Sequence, residues 1–224
     1  MTPAIQRPAA LGQQIAAIIR RRIIRGELQV GDRLTEESLA EEFSVSRGSV
    51  RDAIKQLTFE NLVEIHRPRG IYITGLTVGD VTELYTLRSA IEKLALSRAM
   101  RVTEDERWKP CERSVNEMLK AATDGDHTSF LTADLDFHDQ IYKLAGHQRV
   151  LAVWQQYLPT FTVLLEITIN HDKDLLDAAH DHEALYRAMR GSDTEHALSI
   201  LESHIDGAYK RMIQELSAQR ALSA

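Results

Sequence analysis

The sequence predicts a mainly α-helical protein with an N-terminal winged helix-turn-helix and a C-terminal all-α antiparallel helical bundle. Within the first 74 residues, two short amphipathic helices flank a tight turn and precede two segments of strand period. From residue 77 onward the apolar residues recur with helical period, and no strand pattern is found there. We therefore expect two domains, at residues 1–74 and 77–224, joined by a linker at residues 75–76.

The first predicted helix follows Pro8 and ends at Gly26. Its apolar residues Ile15, Ile19 and Ile23 recur every four positions, which indicates one buried face. Gly26 is a typical stop signal, because glycine readily adopts the left-handed conformation that ends many helices. The same helix carries four basic residues, Arg20, Arg21, Arg22 and Arg25.

A helix-turn-helix begins at Thr35. Thr35 caps a helix that is expected to bury Leu39 and Phe43, and Ser46 caps the next helix after the turn. The inward face of this second helix comprises Val50, Ala53, Ile54 and Leu57. The outer face of its N-terminal end carries Arg47, Ser49 and Arg51. In DNA-recognition helices the N-terminal end enters the major groove, and guanidinium groups there meet guanine edges or phosphates.

The segment after this motif predicts a wing. Residues 62–66 and 71–74 alternate with strand period on either side of a basic turn, Arg67-Pro68-Arg69-Gly70. Basic residues on one face are often no more than a solvated surface. Arginines at the head of the second helix, followed by an arginine-tipped hairpin, nevertheless favour DNA binding.

The charge distribution supports this interpretation. The chain carries 27 Lys and Arg against 33 Asp and Glu, which gives a net charge of −6. Residues 1–76 hold 11 of the basic and 9 of the acidic residues, so this part has a charge of +2 and the remainder −8. The basic excess coincides with the DNA-binding motif, and the acidic excess indicates a second domain with another role.

Several classes of protein are excluded by the sequence. The longest apolar runs, such as residues 161–165, are too short to span a membrane, and no N-terminal segment resembles a signal peptide. The single cysteine, Cys111, has no partner for an internal disulfide and lies in no zinc-ribbon or nucleophile motif. We expect a cytoplasmic protein in which Cys111 is a small buried residue.

Six helices are expected after the linker. Their approximate bounds are 77–99, 103–124, 126–145, 147–168, 173–190 and 193–219. Pro159 lies inside the fourth of them and predicts a kink there.

Four side chains of these helices are spaced to share a metal ion. Asp134 and His138 are four residues apart and therefore lie on one face of the third helix. His182 and His204 each lie 11 residues from Asp193, where the fifth and sixth helices turn, so they lie level in an antiparallel hairpin. One carboxylate and three imidazoles suit a divalent ion, zinc above all, or nickel, manganese or iron, with one or two coordination positions open.

We call Asp134, His138, His182 and His204 the quartet, and two alternatives remain open for it. Its members can simply satisfy one another's hydrogen bonds inside an amphipathic bundle. Asp134 with two histidines also resembles the facial triad of a metalloenzyme, with Glu183 as the one acid–base candidate. Glu183 is expected to point away from the site, and His180 cannot share the face of His182, because two residues of helix rotate a side chain by about 200°. Surface positions are expected for His127, His147, His171 and His196.

Both halves of the chain resemble known domains. Residues 31–34 and 45–54, followed by Leu57 and residues 61–63, resemble the winged-helix domain of GntR-family transcriptional regulators. Residues 84–92 and 134–138, with the segments around His182 and His204, resemble the FCD effector domain of the FadR subfamily. Six helices rather than seven indicate the shorter, VanR-like branch.

The resemblance implies a homodimer that binds a palindromic double-stranded DNA operator and responds to a small carboxylate effector. The DNA contacts that it implies are Arg33, Ser46, Arg47, Ser49, Arg51, Arg69 and Gly70. It implies metal ligation by the same quartet, and Arg88 corresponds to an arginine near the effector pocket, where a guanidinium could clamp a carboxylate. Gly48 stands where the family commonly has Thr or Pro, so the base preference at that position stays open.

We therefore expect a transcriptional regulator, and most proteins of this kind are repressors. Its DNA affinity would be controlled by a small organic acid bound at a metal-containing pocket, with residues 74–76 as the link between domains. The main alternative is a metal-sensing regulator in which the ion itself is the signal. We do not expect an enzyme.

Overall fold

The computed structural model describes residues 11–66, 70–171 and 174–223. The chain divides into two compact units, Met1–Thr77 and Val78–Ala224. The expected architecture is confirmed, since a small winged helix-turn-helix precedes an all-helical unit.

The N-terminal unit contains three helices and a three-stranded sheet within its described residues. In chain order they are α1 (Leu11–Ile24), β1 (Arg33–Leu34), α2 (Glu36–Glu42), α3 (Arg47–Phe59), β2 (Val63–His66) and β3 (Gly70–Ile73). Strand β3 is central and pairs antiparallel with both β1 and β2. The sequence does not predict β1, because a two-residue strand shows no measurable alternation. The tip of the predicted wing, residues 67–69, lies outside the described residues.

Both helices of the helix-turn-helix begin at the predicted caps. The hydroxyl of Thr35 accepts the backbone N–H of Ser38 at 3.1 Å, and that of Ser46 accepts the N–H of Ser49 at 3.2 Å. These bonds satisfy amide groups that have no partner within the helix. Phe43 is only half-buried and ends α2 as its C-cap, so its contribution to the core is smaller than expected.

Arg20 belongs to the interior of this unit rather than to a basic surface. Its side chain is 2% exposed, and its Nε and Nη2 each donate to the carboxylate of Glu60 at 2.6 Å. This bidentate pair ties α1 to the C-terminal end of α3. Arg20 therefore adds nothing to the exposed positive charge expected for α1.

The C-terminal unit is an all-α bundle. Across residues 78–171 and 174–223 its helices are α4 (Val78–Ala99), α5 (Asp105–Asp124), α6 (His127–Leu144), α7 (Gln148–His171), α8 (Leu175–Arg190) and α9 (Thr194–Ser223). These are the six expected helices, although α7 and α9 extend past the predicted ends at residues 168 and 219. Neither end carries the glycine or proline that marks a helix end in a sequence.

Helix α6 lies at the centre of this unit. It packs against α4, α5 and α7, and α9 packs against α4, α7 and α8. The buried stripe of α6 includes Asp134, Phe137, His138 and Ile141, so the two polar members face the core with the apolar ones. Cys111 on α5 is buried, as expected. None of the described helices is long and apolar enough to cross a lipid bilayer.

Candidate metal centre and nucleic-acid interface

A groove in the N-terminal unit runs between α3 and the strands of the wing. It has a volume of about 500 Å³, and its lining includes Arg33, Arg51, Lys55, His66 and Gly70. Three of these are sequence-predicted DNA contacts that come from β1, α3 and β3. Lys55 is not among the predicted contacts, and it lies one helical turn after Arg51 and therefore on the same face.

The two arginines at the head of α3 are exposed and paired with acidic residues of α2. Arg47 Nη2 lies 2.5 Å from Glu37 Oε1, and Arg51 Nε lies 2.7 Å from Glu36 Oε2. The arginine side chains are 57% and 59% exposed. Exposed pairs of this kind are worth only about 0–1 kcal/mol, so a DNA phosphate or guanine edge can displace either carboxylate at little cost.

Gly70 is held close to Arg33 by the pairing of β1 with β3. Its φ is +121°, and a Cβ atom at this position would lie 2.8 Å from Arg33 Nε. Glycine therefore suits the backbone conformation here, and any other residue would push the Arg33 guanidinium aside. Arg69, the other wing candidate, lies outside the described residues.

Ser46 and Ser49 serve the local structure of α3. Their hydroxyl groups lie 3.1 Å apart, and that of Ser46 already accepts the cap bond. Gly48 between them is exposed, and a Cβ there would meet only Ser46 Oγ, at 3.5 Å. No steric requirement for glycine at this position is visible in the described residues.

The quartet converges in the interior of the C-terminal unit. The ligand atoms of His138, His182 and His204 all lie within 4.8 Å of one another. Nε2 of His138 lies 3.3 Å from Nε2 of His204. Asp134 Oδ2 lies 3.2 Å from His182 Nε2, and its Oδ1 lies 3.9 Å from His138 Nε2. Helices α6, α8 and α9 therefore bring together the four side chains whose helical spacing predicts a shared site.

Hydrogen bonds on the far side of two rings determine which nitrogen faces the centre. His182 Nδ1 lies 2.7 Å from the carbonyl oxygen of Ala178, which can only accept, so Nδ1 carries the proton. His138 Nδ1 likewise donates to the carboxylate of Glu92. When these two imidazoles are neutral, the lone pair of each Nε2 atom points to the centre of the quartet.

This arrangement fits a metal ion. Lone pairs that face one another at 3.2–3.3 Å repel unless a proton or a cation lies between them. Tetrahedral zinc with bonds of 2.0–2.1 Å holds its ligand atoms roughly 3.3 Å apart. Among the described residues, Asp134 Oδ1 is buried without a hydrogen-bond partner, and His182 Nε2 faces the other oxygen of Asp134 at 3.2 Å, so both atoms are placed as ligands.

Arg88 lies beside the quartet, and the outer edge of its guanidinium is unpaired among the described residues. The residue is 1% exposed, and its Nη1 and Nη2 have no hydrogen-bond partner within the described part of the chain. Its guanidinium carbon lies 5.8 Å from the ring centre of Trp154 and 5.4 Å from that of Phe161. The two rings hold a buried cation whose outer edge is left free to bind an anion.

Glu92 is the functional candidate that sequence reasoning missed. It is fully buried, accepts from His138 Nδ1 and also accepts from Arg88 Nε at 3.1 Å. The spacing of Arg88 and Glu92, four residues apart on α4, could have indicated the pair. Its link to His138 depends on how α4 packs against α6, which no sequence pattern reports.

The electrostatics of this cluster favour a cation. Burial would raise the pKa of Asp134, but the neighbouring His182 outweighs it and lowers the pKa to about 2. Burial also opposes the charge on Glu92, yet His138 and Arg88 bring its pKa to about 2. Burial, followed by the nearby His182 and His138, holds the pKa of His204 well below its usual value. Burial opposes a charge on His182, but the carboxylate of Asp134 outweighs it and raises the pKa of His182. A cation, either a proton or a metal ion, is therefore favoured between Asp134 and His182.

Arg88 and three members of the quartet line one cavity. Its lining also includes Thr168, Asp181 and Arg211, and its volume is about 20 Å³. That volume is enough for a single water molecule or ion. The carboxylate of Glu183 points elsewhere, as expected, and pairs with Arg187 at 2.6 Å.

The other histidines do not join this site. His196 is exposed, as expected, and His180 is exposed whereas His182 on the same helix is buried. His127 is half-buried instead, because its Nδ1 contacts the carbonyl oxygen of Ile169 at 2.8 Å. His147 is also half-buried and accepts the N–H of Val150 at 3.4 Å. The side chain of His171 lies outside the described residues.

Two family models match the chain, one for each unit. Residues 11–73 match the model for bacterial regulatory proteins of the gntR family. Residues 83–207 match the model for the FCD domain.

Full-length relatives and solved structures agree with these matches. The chain is 29% identical over 206 residues to the gluconate operon transcriptional repressor of Bacillus licheniformis, covering 88% of this chain and 83% of that protein. It is 26% identical over 223 residues to the repressor of the same name from Bacillus subtilis strain 168, covering 96% and 90%. Escherichia coli McbR/YncC has the same fold, with a TM-score of 0.71 and 16% identity over 93% of this chain and 100% of that one.

Proposed function

The chain belongs to the GntR family of bacterial transcriptional regulators and carries an FCD domain, and on this premise we propose that it is an acid-responsive repressor. As a homodimer in the cytoplasm it would bind a palindromic operator, and a small organic acid beside a divalent metal ion would change its DNA affinity. The observation that carries the proposal is the buried Arg88 edge next to the convergent quartet. The family and the relatives are transcriptional regulators rather than enzymes, so the metalloenzyme alternative is set aside.

The unpaired edge of Arg88 argues for a carboxylate ligand. Leaving buried donors unsatisfied costs about 1–3 kcal/mol per group, and more when the group is charged. A carboxylate satisfies Nη1 and Nη2 together through two parallel hydrogen bonds. Because Glu92 already holds Nε, the free edge is the part of Arg88 that remains for the acid.

Charge balance argues that the acid needs the metal. A metal ion binds neutral imidazoles, and in that state the carboxylates of Asp134 and Glu92 and the cationic Arg88 give the donor cluster a net charge of −1. A divalent ion on the quartet would change this to +1, which complements a single carboxylate. When bound, the metal would supply a Lewis-acidic coordination position for one oxygen of that carboxylate.

Zinc is the first candidate for the ion. One carboxylate and three imidazoles also suit nickel, manganese or iron, and the spacing of the donor atoms does not distinguish between them. Metal analysis of protein purified without chelator or affinity metal would identify the ion.

The DNA-binding surface that we propose combines α3 with the wing. Arg47, Ser49 and Arg51 would contact bases or phosphates from α3, with Ser46 beside them at the cap. Arg33, Gly70 and Arg69 would meet the backbone or the minor groove at the wing. Arg33 and Arg51 lining one groove supports this assignment.

The relatives suggest which acids to test first. Two of them are gluconate operon transcriptional repressors, and gluconate is itself a small carboxylate. An acid of several carbon atoms exceeds the cavity of about 20 Å³. Its entry would therefore require the surrounding helices to move apart, which is the kind of change that couples ligand binding to DNA affinity.

Operator binding with and without acid tests the proposal. The duplex would be selected from a random library by the protein, and its affinity measured by fluorescence anisotropy on zinc-loaded protein. A bound acid should change the affinity by about 5–150-fold. Arg88→Gln should abolish this response, whereas Arg187→Gln, an exposed arginine paired with Glu183, should preserve it. Calorimetric binding of an acid that leaves DNA affinity unchanged would contradict the coupling.

A metal-sensing regulator is the second candidate, and the size of the cavity favours it. A volume of about 20 Å³ accommodates an ion without any movement of helices. Operator affinity would then respond to chelation and reloading of metal, and adding acids at fixed metal would have no effect. Our primary proposal requires that an acid added at fixed metal changes operator affinity.

A further inference from the structure

A single buried carboxylate connects the proposed metal ligand with the proposed effector anchor. Glu92 on α4 receives the Nδ1–H of His138 on one oxygen and the Nε–H of Arg88 on the other, at 3.1 Å for the latter. The hydroxyl of Tyr142 lies 3.4 Å from the second oxygen. Glu92 and His138 are fully buried and Arg88 is 1% exposed, so water does not compete for these contacts.

We infer that Glu92 is a positioning residue that orients His138 toward the metal and Arg88 toward the acid. The inference rests on the proposed metal and acid site and assigns Glu92 no direct contact with either ligand. It makes one side chain of α4 responsible for the geometry of both binding groups.

The effect on His138 follows from its tautomer. An acceptor at Nδ1 keeps the proton there and leaves the Nε2 lone pair directed at His204 and Asp134. A carboxylate acceptor also makes the imidazole a stronger donor to a metal. Loss of such an outer partner commonly lowers metal affinity about 10–100-fold.

The effect on Arg88 follows from its planar geometry. A guanidinium held at Nε and flanked by Trp154 and Phe161 has little freedom to rotate. Its Nη1 and Nη2 then have no hydrogen-bond partner among the residues that the structure describes. Without Glu92, the same group would lose its hydrogen-bonded counter-ion in the interior, and other contacts would compete for its donors.

Glu92→Gln is the decisive substitution because an amide cannot replace both contacts. A carboxylate offers two acceptor oxygens, whereas an amide of the same shape has one acceptor and one donor. Either His138 Nδ1–H or Arg88 Nε–H must therefore face an NH2 group. Tyr142→Phe is the matched control, since it removes only the contact at 3.4 Å and keeps both charged partners.

Zinc affinity, measured on the full chain by competition with a chromophoric chelator, is the first readout. We expect Glu92→Gln to weaken zinc binding about 10–100-fold and Tyr142→Phe to weaken it less than about threefold. The absorption spectrum of the Co²⁺-loaded variant should keep its band pattern, since the quartet stays intact.

Nuclear magnetic resonance of the arginine side chains provides the second readout. The Nε–H of Arg88 should exchange slowly in wild type and rapidly in Glu92→Gln. The Nε–H of Arg20, paired with Glu60 in the other unit, should remain slow in both proteins and serves as an internal control. Slow exchange at Arg88 in the variant would refute the positioning of that residue.

Measurements on the wild-type protein distinguish failure of the inference from failure of the proposed metal site. If it binds zinc and Glu92→Gln binds it equally tightly, the inference is wrong and the proposed metal site stands. If wild type binds no zinc, cobalt, nickel or manganese, the proposed site and the inference both fail. If Glu92→Gln does not fold, the ring nitrogens of zinc-loaded wild type decide, because coordination of His138 through Nδ1 would exclude the role of Glu92.

Discussion

Two histidines of α8 provide a stringent test of the metal site. His182 is 2% exposed and directs Nε2 at Asp134, whereas His180 is exposed on the same helix. Two residues of helix rotate a side chain by about 200°, so the pair differs in direction while composition and helix context match. We expect His182→Ala to abolish stabilisation by zinc and His180→Ala to retain it.

The expected size of the effect follows from linkage. Zinc at a hundredfold excess over its dissociation constant stabilises the folded protein by about 2.7 kcal/mol. For a unit of this size, about 2–4 °C of Tm corresponds to each kcal/mol, so zinc should raise Tm by roughly 5–11 °C. Removing His182 takes away one of four donors, and zinc at the same concentration should then give no measurable shift.

Differential scanning calorimetry with and without zinc, after complete removal of metal by a chelator, measures this shift. The zinc-dependent difference is the readout, because His182→Ala also removes a buried ring and lowers the Tm of the metal-free protein. An equal shift in wild type and His182→Ala would refute the assignment. The absence of a shift in both wild type and His180→Ala would refute the site as a whole.

Further predictions concern the DNA-binding surface and the pH dependence of stability. Arg51→Ala should lower operator affinity by about 1–3 kcal/mol without lowering Tm, and should flatten the salt dependence of anisotropy titrations if it contacts a phosphate. Glu36→Gln removes the acidic partner of Arg51 and should raise affinity by up to about 1 kcal/mol, whereas a loss would show that Glu36 helps to position the arginine. Gly70→Ala should reduce both Tm and operator affinity, because φ is +121° and the new Cβ would displace Arg33. Burial raises the pKa of Tyr85 from 10.0 to about 12, so the folded protein keeps a proton that the unfolded chain releases above pH 10. Stability should therefore fall between pH 10 and 12, by at most about 1.4 kcal/mol per pH unit from this residue, and Tyr85→Phe should have a shallower slope in urea titrations.

Local patterns in the chain were sufficient for the fold class and for the convergence of the quartet. Thr35 and Ser46 mark helix starts because their hydroxyl groups cap free amides one turn ahead. The spacing of Asp134 and His138 determines a shared face, since helical periodicity is a property of the backbone alone. The equal distance of His182 and His204 from Asp193 predicts level positions in any tight antiparallel hairpin.

Contacts between elements decided the rest. Arg20 counted as surface charge until the packing of α1 against α3 buried it with Glu60. The sequence predicts an unpaired guanidinium for Arg51, but the packing of α2 against α3 places it beside Glu36. Glu92 meets His138 from 46 positions away because α4 lies against α6. Periodicity states which way a side chain faces, whereas the partner it meets depends on the distance and rotation between packed helices, which only the tertiary structure sets.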